Sequence, residues 1–206
     1  IEGNVSRNLR SGRNTRNWWF KGASTKLTIR ANKLWDPATT MTGNLDIYGN
    51  TDGMGEDAFL SKDDEISYNY FHRFTTQFGY WPYPPGSVNG FGPLHFYRNT
   101  LYNAGTGYLQ GLGFDLRTTS DGINGPGIPK QETWDFNNNV IDCDVAPYTY
   151  GSVEYPDGAA AKADGWVNST FNDLTTTTVG LIDTVTGKLK GDALQYQGRY
   201  GADISE

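Results

Sequence analysis

An all-β architecture of many short strands is the fold class that this sequence predicts, and three observations predict it. Apolar residues alternate with polar ones at a period of two, the signature of half-buried strands. Turn dipeptides separate these runs at short intervals. The composition is rich in residues that favour turns and strands over helices, with 26 glycines and recurrent Asn and Thr.

Taken in chain order, Leu27 and Ile29 share one face of the run Lys26-Leu27-Thr28-Ile29-Arg30. Leu45 and Ile47 do the same in Asn44-Leu45-Asp46-Ile47-Tyr48. Leu94 pairs with Phe96, which leaves His95 and Tyr97 on the opposite face. Leu112, Phe114 and Leu116 alternate with Gly113, Asp115 and Arg117, and Leu194 and Tyr196 form a last pair. Asp-Gly steps at Asp52-Gly53, Asp121-Gly122, Asp157-Gly158 and Asp164-Gly165 supply turns. The best helix candidate runs over 159–174, although Gly165 and Asn168-Ser169-Thr170 work against it. Three zones follow: a strand-and-turn segment over 1–60, an aromatic- and proline-rich module over 61–150, and a C-terminal β segment over 151–206. No repeat of constant period emerges, which disfavours a regular solenoid or propeller.

Several function classes are disfavoured by composition. Hydrophobic residues make up 36% of the chain, below the roughly 45–50% of ordinary domains. Apolar area is concentrated instead in 13 Tyr, 10 Phe and 6 Trp. Such a chain can form a thin core and display rings, or have its core completed by partner chains. A net charge of −6 argues against nucleic acid. The interrupted cluster Arg7, Arg10, Arg13 and Arg16 reads as a solvated segment. The single cysteine, Cys143, rules out an internal disulfide and reads as a small buried residue. With His72 and His95 the only histidines, a His-rich metal site within one chain is not expected, and no cofactor is. No run approaches a membrane helix in length, so the chain is not expected to be membrane-embedded. The start at Ile1, without a signal-like run, suggests a piece of something longer.

Two segments resemble bacteriophage tail fibres and related receptor-binding proteins. The first is Thr39-Thr40-Met41-Thr42-Gly43-Asn44-Leu45-Asp46-Ile47. The second runs from Phe78 to Gly122, through Trp81-Pro82-Tyr83-Pro84-Pro85-Gly86, Asn89-Gly90-Phe91-Gly92-Pro93-Leu94 and Arg117-Thr118-Thr119-Ser120-Asp121-Gly122. The resemblance covers about a quarter of the chain and does not extend over 131–206. It implies an elongated, interwoven homotrimeric fibre with a globular tip or knob, located on the virion and binding the bacterial surface. In such a trimer Leu27, Ile29, Leu45 and Ile47 would be buried against symmetry mates.

The candidate binding residues are the rings Tyr80, Trp81, Tyr83, Tyr97, Tyr102, Tyr108 and Trp134, together with His95. In Tyr80-Trp81-Pro82-Tyr83-Pro84-Pro85 the prolines hold the chain extended and remove amide donors, which suits a stiff loop presenting Trp81 and Tyr83. Phe71, Phe74, Phe91 and Phe96 extend the aromatic zone. The acidic run Asp63-Asp64-Glu65 lacks the spacing and glycine of a calcium loop and reads as a solvated turn. Asp115, Asp121, Glu132 and Asp135 are candidates for a glycosidase pair, yet nothing in the sequence marks any two of them as one. Asn4-Val5-Ser6 and Asn168-Ser169-Thr170 fit a glycosylation pattern that carries no weight in a phage or bacterial protein.

The expectation is therefore a non-enzymatic adhesin, binding a surface glycan (lipopolysaccharide or other polysaccharide) or an outer-membrane protein. The rivals are a tailspike-like polysaccharide depolymerase and a bacterial carbohydrate-binding or adhesin domain.

Overall fold

The computed structural model describes residues 2–3, 5–7, 18–21, 27–35, 45–48, 64–72, 78–81, 94–103, 114–116, 134–150, 153–183 and 185–202. Its strands are β1 (Val5–Arg7), β2 (Trp18–Lys21), β3 (Thr28–Arg30), β4 (Lys33–Trp35), β5 (Leu45–Tyr48), β6 (Asp64–Ser67), β7 (Tyr70–His72) and β8 (Phe78–Trp81). They continue with β9 (Leu94–Tyr97), β10 (Thr100–Asn103), β11 (Phe114–Leu116), β12 (Trp134–Cys143), β13 (Tyr148–Tyr150), β14 (Val153–Tyr155) and β15 (Thr170–Thr176). Helix α1 (Gly158–Ala163) and a 3₁₀ helix at Gly191–Tyr196 complete the set. For β1, β2, β5, β8 and β11 the description is of the backbone.

The pairing defines a parallel β-helix. Each coil lays down three strands, and each strand pairs in parallel with its equivalent one coil later. Thus β3, β4 and β5 pair with β6, β7 and β8. These in turn pair with β9, β10 and β11. The long β12 serves two roles, its first half on β9 and its second half on β10, while β13 lies on β11. One nine-stranded sheet therefore has two limbs that meet in β12, and a six-stranded sheet forms the third side. Antiparallel β14 closes the third side against β13, and β15 pairs along β12 as the last coil.

The corner between the two limbs is set by a two-residue turn. Its first residue is left-handed in every coil: Ala31 (φ 53), Tyr68 (φ 57), Arg98 (φ 52) and Asn138 (φ 57). For side chains other than glycine this conformation costs roughly 1–2 kcal/mol each. The turn N–H donates to the next coil, from Ala31 to the Ser67 carbonyl (3.1 Å), Tyr68 to Tyr97 (3.2 Å) and Arg98 to Asn137 (3.0 Å).

The second turn residue is asparagine in four successive coils, and these form a buried ladder. The backbone N–H and side-chain amide of Asn32 both donate to Asn69 Oδ1 (2.9 and 3.0 Å). Asn69 donates in the same way to Asn99 Oδ1 (3.0 and 3.0 Å), and Asn99 to Asn139 Oδ1 (2.8 and 3.1 Å). Each amide also reaches one coil back: Asn69 to the Ile29 carbonyl (3.0 Å), Asn99 to Ile66 (2.8 Å) and Asn139 to Phe96 (2.9 Å). Only a side chain with both an acceptor and a two-hydrogen donor at this length fills the role. The ladder ends on Asp173, whose Oδ1 accepts from the Asn139 N–H and amide (2.9 and 2.8 Å) and whose Oδ2 accepts from the Tyr148 hydroxyl (2.6 Å). Burial pushes the Asp173 carboxyl up to about 6, against the pull of these donors.

Inside the coils, register stacks like on like. Ile29, Ile66, Phe96 and Phe136 form one row, each 0% exposed. Phe171 continues it, its ring stacked on Phe136 at 5.4 Å and 8°. Each such side chain contributes about 2 kcal/mol on burial. Phe71, Leu101 and Ile141 form the inward row of the second limb.

The outer face of the second limb is covered by the C-terminal segment. Tyr102 and Val140 pack there with Ile182, Leu189 and Ala193. Buried Asp142 anchors this segment by accepting from the N–H groups of Gly180 and Ile182 (2.8 Å each). Further along, the Gly201 N–H donates to the Asn138 carbonyl (2.7 Å) and the Ala202 N–H to Thr100 Oγ1 (2.9 Å). Gly201 has φ +77, and a Cβ there would lie 2.6 Å from Thr100 Oγ1, so only glycine fits. From β7 through β10 to the second half of β12 the second limb is thus buried on both faces, the usual condition of a parallel sheet. Among the described residues, the outer face of the first limb is left open.

The β-rich class holds, and the expected strands at Ile29, 45–48, 94–97 and 114–116 are present. Other expectations are corrected. The chain is a solenoid, its ladder residues separated by 37, 30, 40 and 34 positions, so unequal loops conceal the repeat. The helix stops at Ala163, before left-handed Gly165 (φ 106), and 170–176 is a strand. Leu194 and Tyr196 belong to a 3₁₀ helix rather than a strand. Ile29 is fully buried within the single chain and is not offered to a symmetry mate. Asp64 is a buried strand residue, its Oδ1 accepting from the Leu27 N–H (2.9 Å), rather than part of a solvated turn. The three proposed zones are joined by strand pairing, β3 with β6 and β12 with β15. Cys143 is buried as expected, and burial pushes its thiol up to about 12.

Replacing Asn99 by Leu leaves the Asn69 N–H and amide and the Ile66 carbonyl without their partner. A destabilisation on the order of 3 kcal/mol is expected in denaturant unfolding. Asp173→Asn tests the ladder's end. Because the folded carboxyl titrates near 6, above its unfolded value of about 4, its contribution is fully present below about pH 4 and is lost as pH rises through 6. The stability of the wild type relative to Asp173→Asn should therefore fall across that window; a pH-independent difference would contradict the assignment.

Candidate functional site

The open face of the first limb carries two outward rows set by register. One row is Thr28, Glu65, His95, Asp135 and Thr170; the other is Arg30, Ser67, Tyr97, Asn137 and Asn172. Both follow from strand alternation, because they flank the inward row of Ile29, Ile66, Phe96 and Phe136 on either side. Successive members stand one inter-strand spacing apart, about 4.8 Å.

Glu65 is the most constrained group on this face. Its Oε1 accepts from the Tyr97 hydroxyl (2.6 Å) and from Ser67 Oγ (2.8 Å). The Tyr97 hydrogen bond, with help from Ser67, Arg30 and His95, holds its carboxyl below the usual carboxylate range. Burial and the same bond push the Tyr97 phenol up. One coil on, His95 Nδ1 stands 3.5 Å from Asp135 Oδ2, with the two side chains 43% and 38% exposed. The Asn137 amide donates to the other oxygen, Asp135 Oδ1.

The corner bordering this face adds a tyrosine ring and two cations. Tyr68 meets Tyr97 edge-on, with centroids 5.7 Å apart at 82°. The Arg30 guanidinium lies 5.1 Å from the Tyr68 centroid and that of Arg98 lies 6.0 Å away. Arg98 Nη1 donates to the Gly198 carbonyl (3.0 Å), which ties the C-terminal segment to this edge.

Chemically the face offers acceptors at Glu65 and Asp135, cations at Arg30 and Arg98, and ring surface at Tyr68 and Tyr97. Proton donation to a leaving group needs a carboxyl held neutral. Glu65 is held ionised, and Asp173, whose carboxyl is raised, is committed to the ladder. No group of three or more potential metal ligands occurs among the described residues.

The expected site residues fall unevenly on this structure. His95 and Tyr97 lie on the open face, opposite the inward Phe96, as alternation predicts. Tyr102 is only 7% exposed, because the C-terminal segment covers its limb, so its ring is a core ring and not a contact surface. Trp81 is the last residue of β8, paired with Tyr48, and Tyr80 is paired with Ile47, so both belong to a strand of the six-stranded sheet rather than to a loop. Trp134 opens β12 opposite Leu94. The rings of Tyr80, Trp81 and Trp134, all of Tyr83 and Tyr108, and the proline-rich 82–90 lie outside the described residues, as do Asp121 and Glu132. The sequence reading set Glu65 aside with its acidic run and passed over Tyr68, Arg30 and Arg98. Their signal is the phrase of an inward apolar residue, two variable residues and Asn, seen at Ile29–Asn32, Ile66–Asn69, Phe96–Asn99 and Phe136–Asn139.

Tyr97→Phe removes the main donor to Glu65. The Glu65 carboxyl should then titrate at higher pH than in the wild type, as read by carbon-detected NMR; an unchanged titration would show that another group holds it.

In comparisons with known proteins, no family model, no curated protein and no solved structure matches this chain.

Proposed function

We propose that this chain is a receptor-binding part of a phage tail fibre that attaches the virion to glycan on the bacterial surface. The observation that carries the proposal is the contrast between the two limbs. The C-terminal segment roofs the second limb, while the first leaves polar, charged and tyrosine side chains open in rows. Rows at a fixed step suit an extended polymer, whose successive units can each meet the side chain of one coil. Tyrosine rings and carboxylates are the side chains that stack on sugars and accept from their hydroxyls. The resemblance at Thr39–Ile47 and Phe78–Gly122 supplies the phage context.

A homotrimer belongs to the same reading, with a changed basis. Since the row from Ile29 to Phe136 closes within one chain, three copies would associate through outer surfaces rather than share one interwoven core. Three weak sites on one axis would gain avidity for a surface that repeats.

Of the carboxylates expected for a depolymerase, Asp135 lies on this face, where Glu65 stands on the other side of His95. Glu65 is held ionised by the Tyr97 hydroxyl, which suits it to accept from a sugar hydroxyl rather than to protonate a leaving group.

The test is incubation with purified lipopolysaccharide and capsular polysaccharide from candidate host strains. Retention of the protein on the polymer with unchanged polymer viscosity is expected. Retention followed by a progressive fall in viscosity would establish the depolymerase instead, and selective retention on outer-membrane protein fractions would move the receptor away from glycan.

A further inference from the structure

The corner of the coils holds a feature that the core does not need. Gly3, Ala31, Tyr68, Arg98 and Asn138 occupy equivalent left-handed positions, with φ of 71, 53, 57, 52 and 57. Glycine and asparagine adopt this backbone most readily, and bulky side chains are the most adverse choice. Two of the coils nevertheless carry Tyr and Arg. Neither side chain repays the strain in the interior, since both are half-buried on the outside of the corner. Strained backbone that the interior does not require is a pointer to a binding role.

What the two residues do is assemble a cluster. Tyr68 stands edge-on to Tyr97 at 5.7 Å, with the Arg30 guanidinium 5.1 Å and the Arg98 guanidinium 6.0 Å from its ring centroid. Arg98 uses Nη1 to hold the Gly198 carbonyl (3.0 Å), which fixes its position and leaves other guanidinium donors for a ligand. Beside them Glu65 uses Oε1 for Tyr97 and Ser67, which leaves Oε2 as an acceptor. The chain carries a net charge of −6, so two arginines at one ring are a local departure from its overall sign.

We propose that Tyr68, Arg30 and Arg98 form a subsite for an acidic sugar unit, one bearing a carboxylate or a phosphate. This rests on the glycan-binding reading above and specifies its ligand. One guanidinium would take the oxyanion through a charge-assisted, bidentate pair of hydrogen bonds, and the other would add its charge nearby. The sugar ring would lie beside this cluster against Tyr97, and Glu65 Oε2 would accept from a ring hydroxyl. The mixed charge has a physical logic: two cations recognise the anion, and the neighbouring carboxylate rejects anions placed one step along the face.

The experiment uses the full chain and immobilised bacterial polysaccharides, each presented beside its carboxyl-reduced and its dephosphorylated form. Arg30→Gln and Arg98→Gln are compared with the wild type after matched thermal melts. Arg30→Gln is the cleaner variant, because Arg98 also holds the C-terminal segment. The expected result is preferential binding of acidic polymers, lost on carboxyl reduction or on dephosphorylation according to which oxyanion is recognised. Each substitution should weaken it roughly tenfold, the scale of one charge-assisted hydrogen bond, and added salt should weaken it further. Binding that survives both chemical treatments and Arg30→Gln would overturn the acidic subsite while leaving glycan adhesion intact. Binding to no polymer in any form would overturn both.

Discussion

The asparagine ladder is the interaction on which the rest of this structure depends. A coil that turns a sharp corner in two residues must put one residue in left-handed backbone and bury the polar groups of the next. Asn69, Asn99 and Asn139 meet the second demand, each accepting twice from the coil before and donating to a carbonyl of that same coil. Because the ladder lies in a low-dielectric interior, its hydrogen bonds are strong when all are made and costly when one is missing. Corner position, strand register and inward stacking are therefore one decision. Once Asn stacks on Asn, Ile66 must stack on Ile29 and Phe136 on Phe96.

A ladder of this kind also needs an end. Each asparagine both accepts and donates along the stack, so the last partner must accept without passing a donor onward. Asp173 does this with one oxygen and takes the Tyr148 hydroxyl with the other. Its strand, β15, pairs with β12 straight past the corner, with a register shift between Asn137 and Val140. The final coil thus unbends, and the chain leaves the helix to fold back over the second limb. Asp142 receives that returning segment through two backbone N–H groups, and burial raises its carboxyl against their pull.

The same covering creates the asymmetry from which function is inferred. A parallel sheet exposes side chains on two faces, and the described C-terminal segment suffices to cover one limb. On the covered limb even Tyr102 and Asp142 become interior residues. On the open limb the same alternation leaves Glu65, His95, Tyr97 and Asp135 within reach of solvent, arranged by register into rows. Local contacts then tune what the rows present: an ionised Glu65 fixed by Tyr97, and a Tyr68 ring with two guanidiniums close by.

The sequence by itself determined the local alternation and hence the β class. It placed Phe96 inward with His95 and Tyr97 outward, because the two faces of a strand follow from a period of two alone. It also marked Cys143 as a buried residue without chemistry. What only the tertiary structure decided is which strands stack and which faces are covered. The repeat of Ile29–Asn32, Ile66–Asn69, Phe96–Asn99 and Phe136–Asn139 stands in plain view, yet separations of 37, 30 and 40 residues deny it a constant period. Nor could Tyr102 be told from Tyr97 by pattern, since both sit on outward faces and differ only in whether a segment some 80 to 100 residues further along returns to cover them. Burial is a property of the assembled coil, and alternation reports only the two sides of a strand.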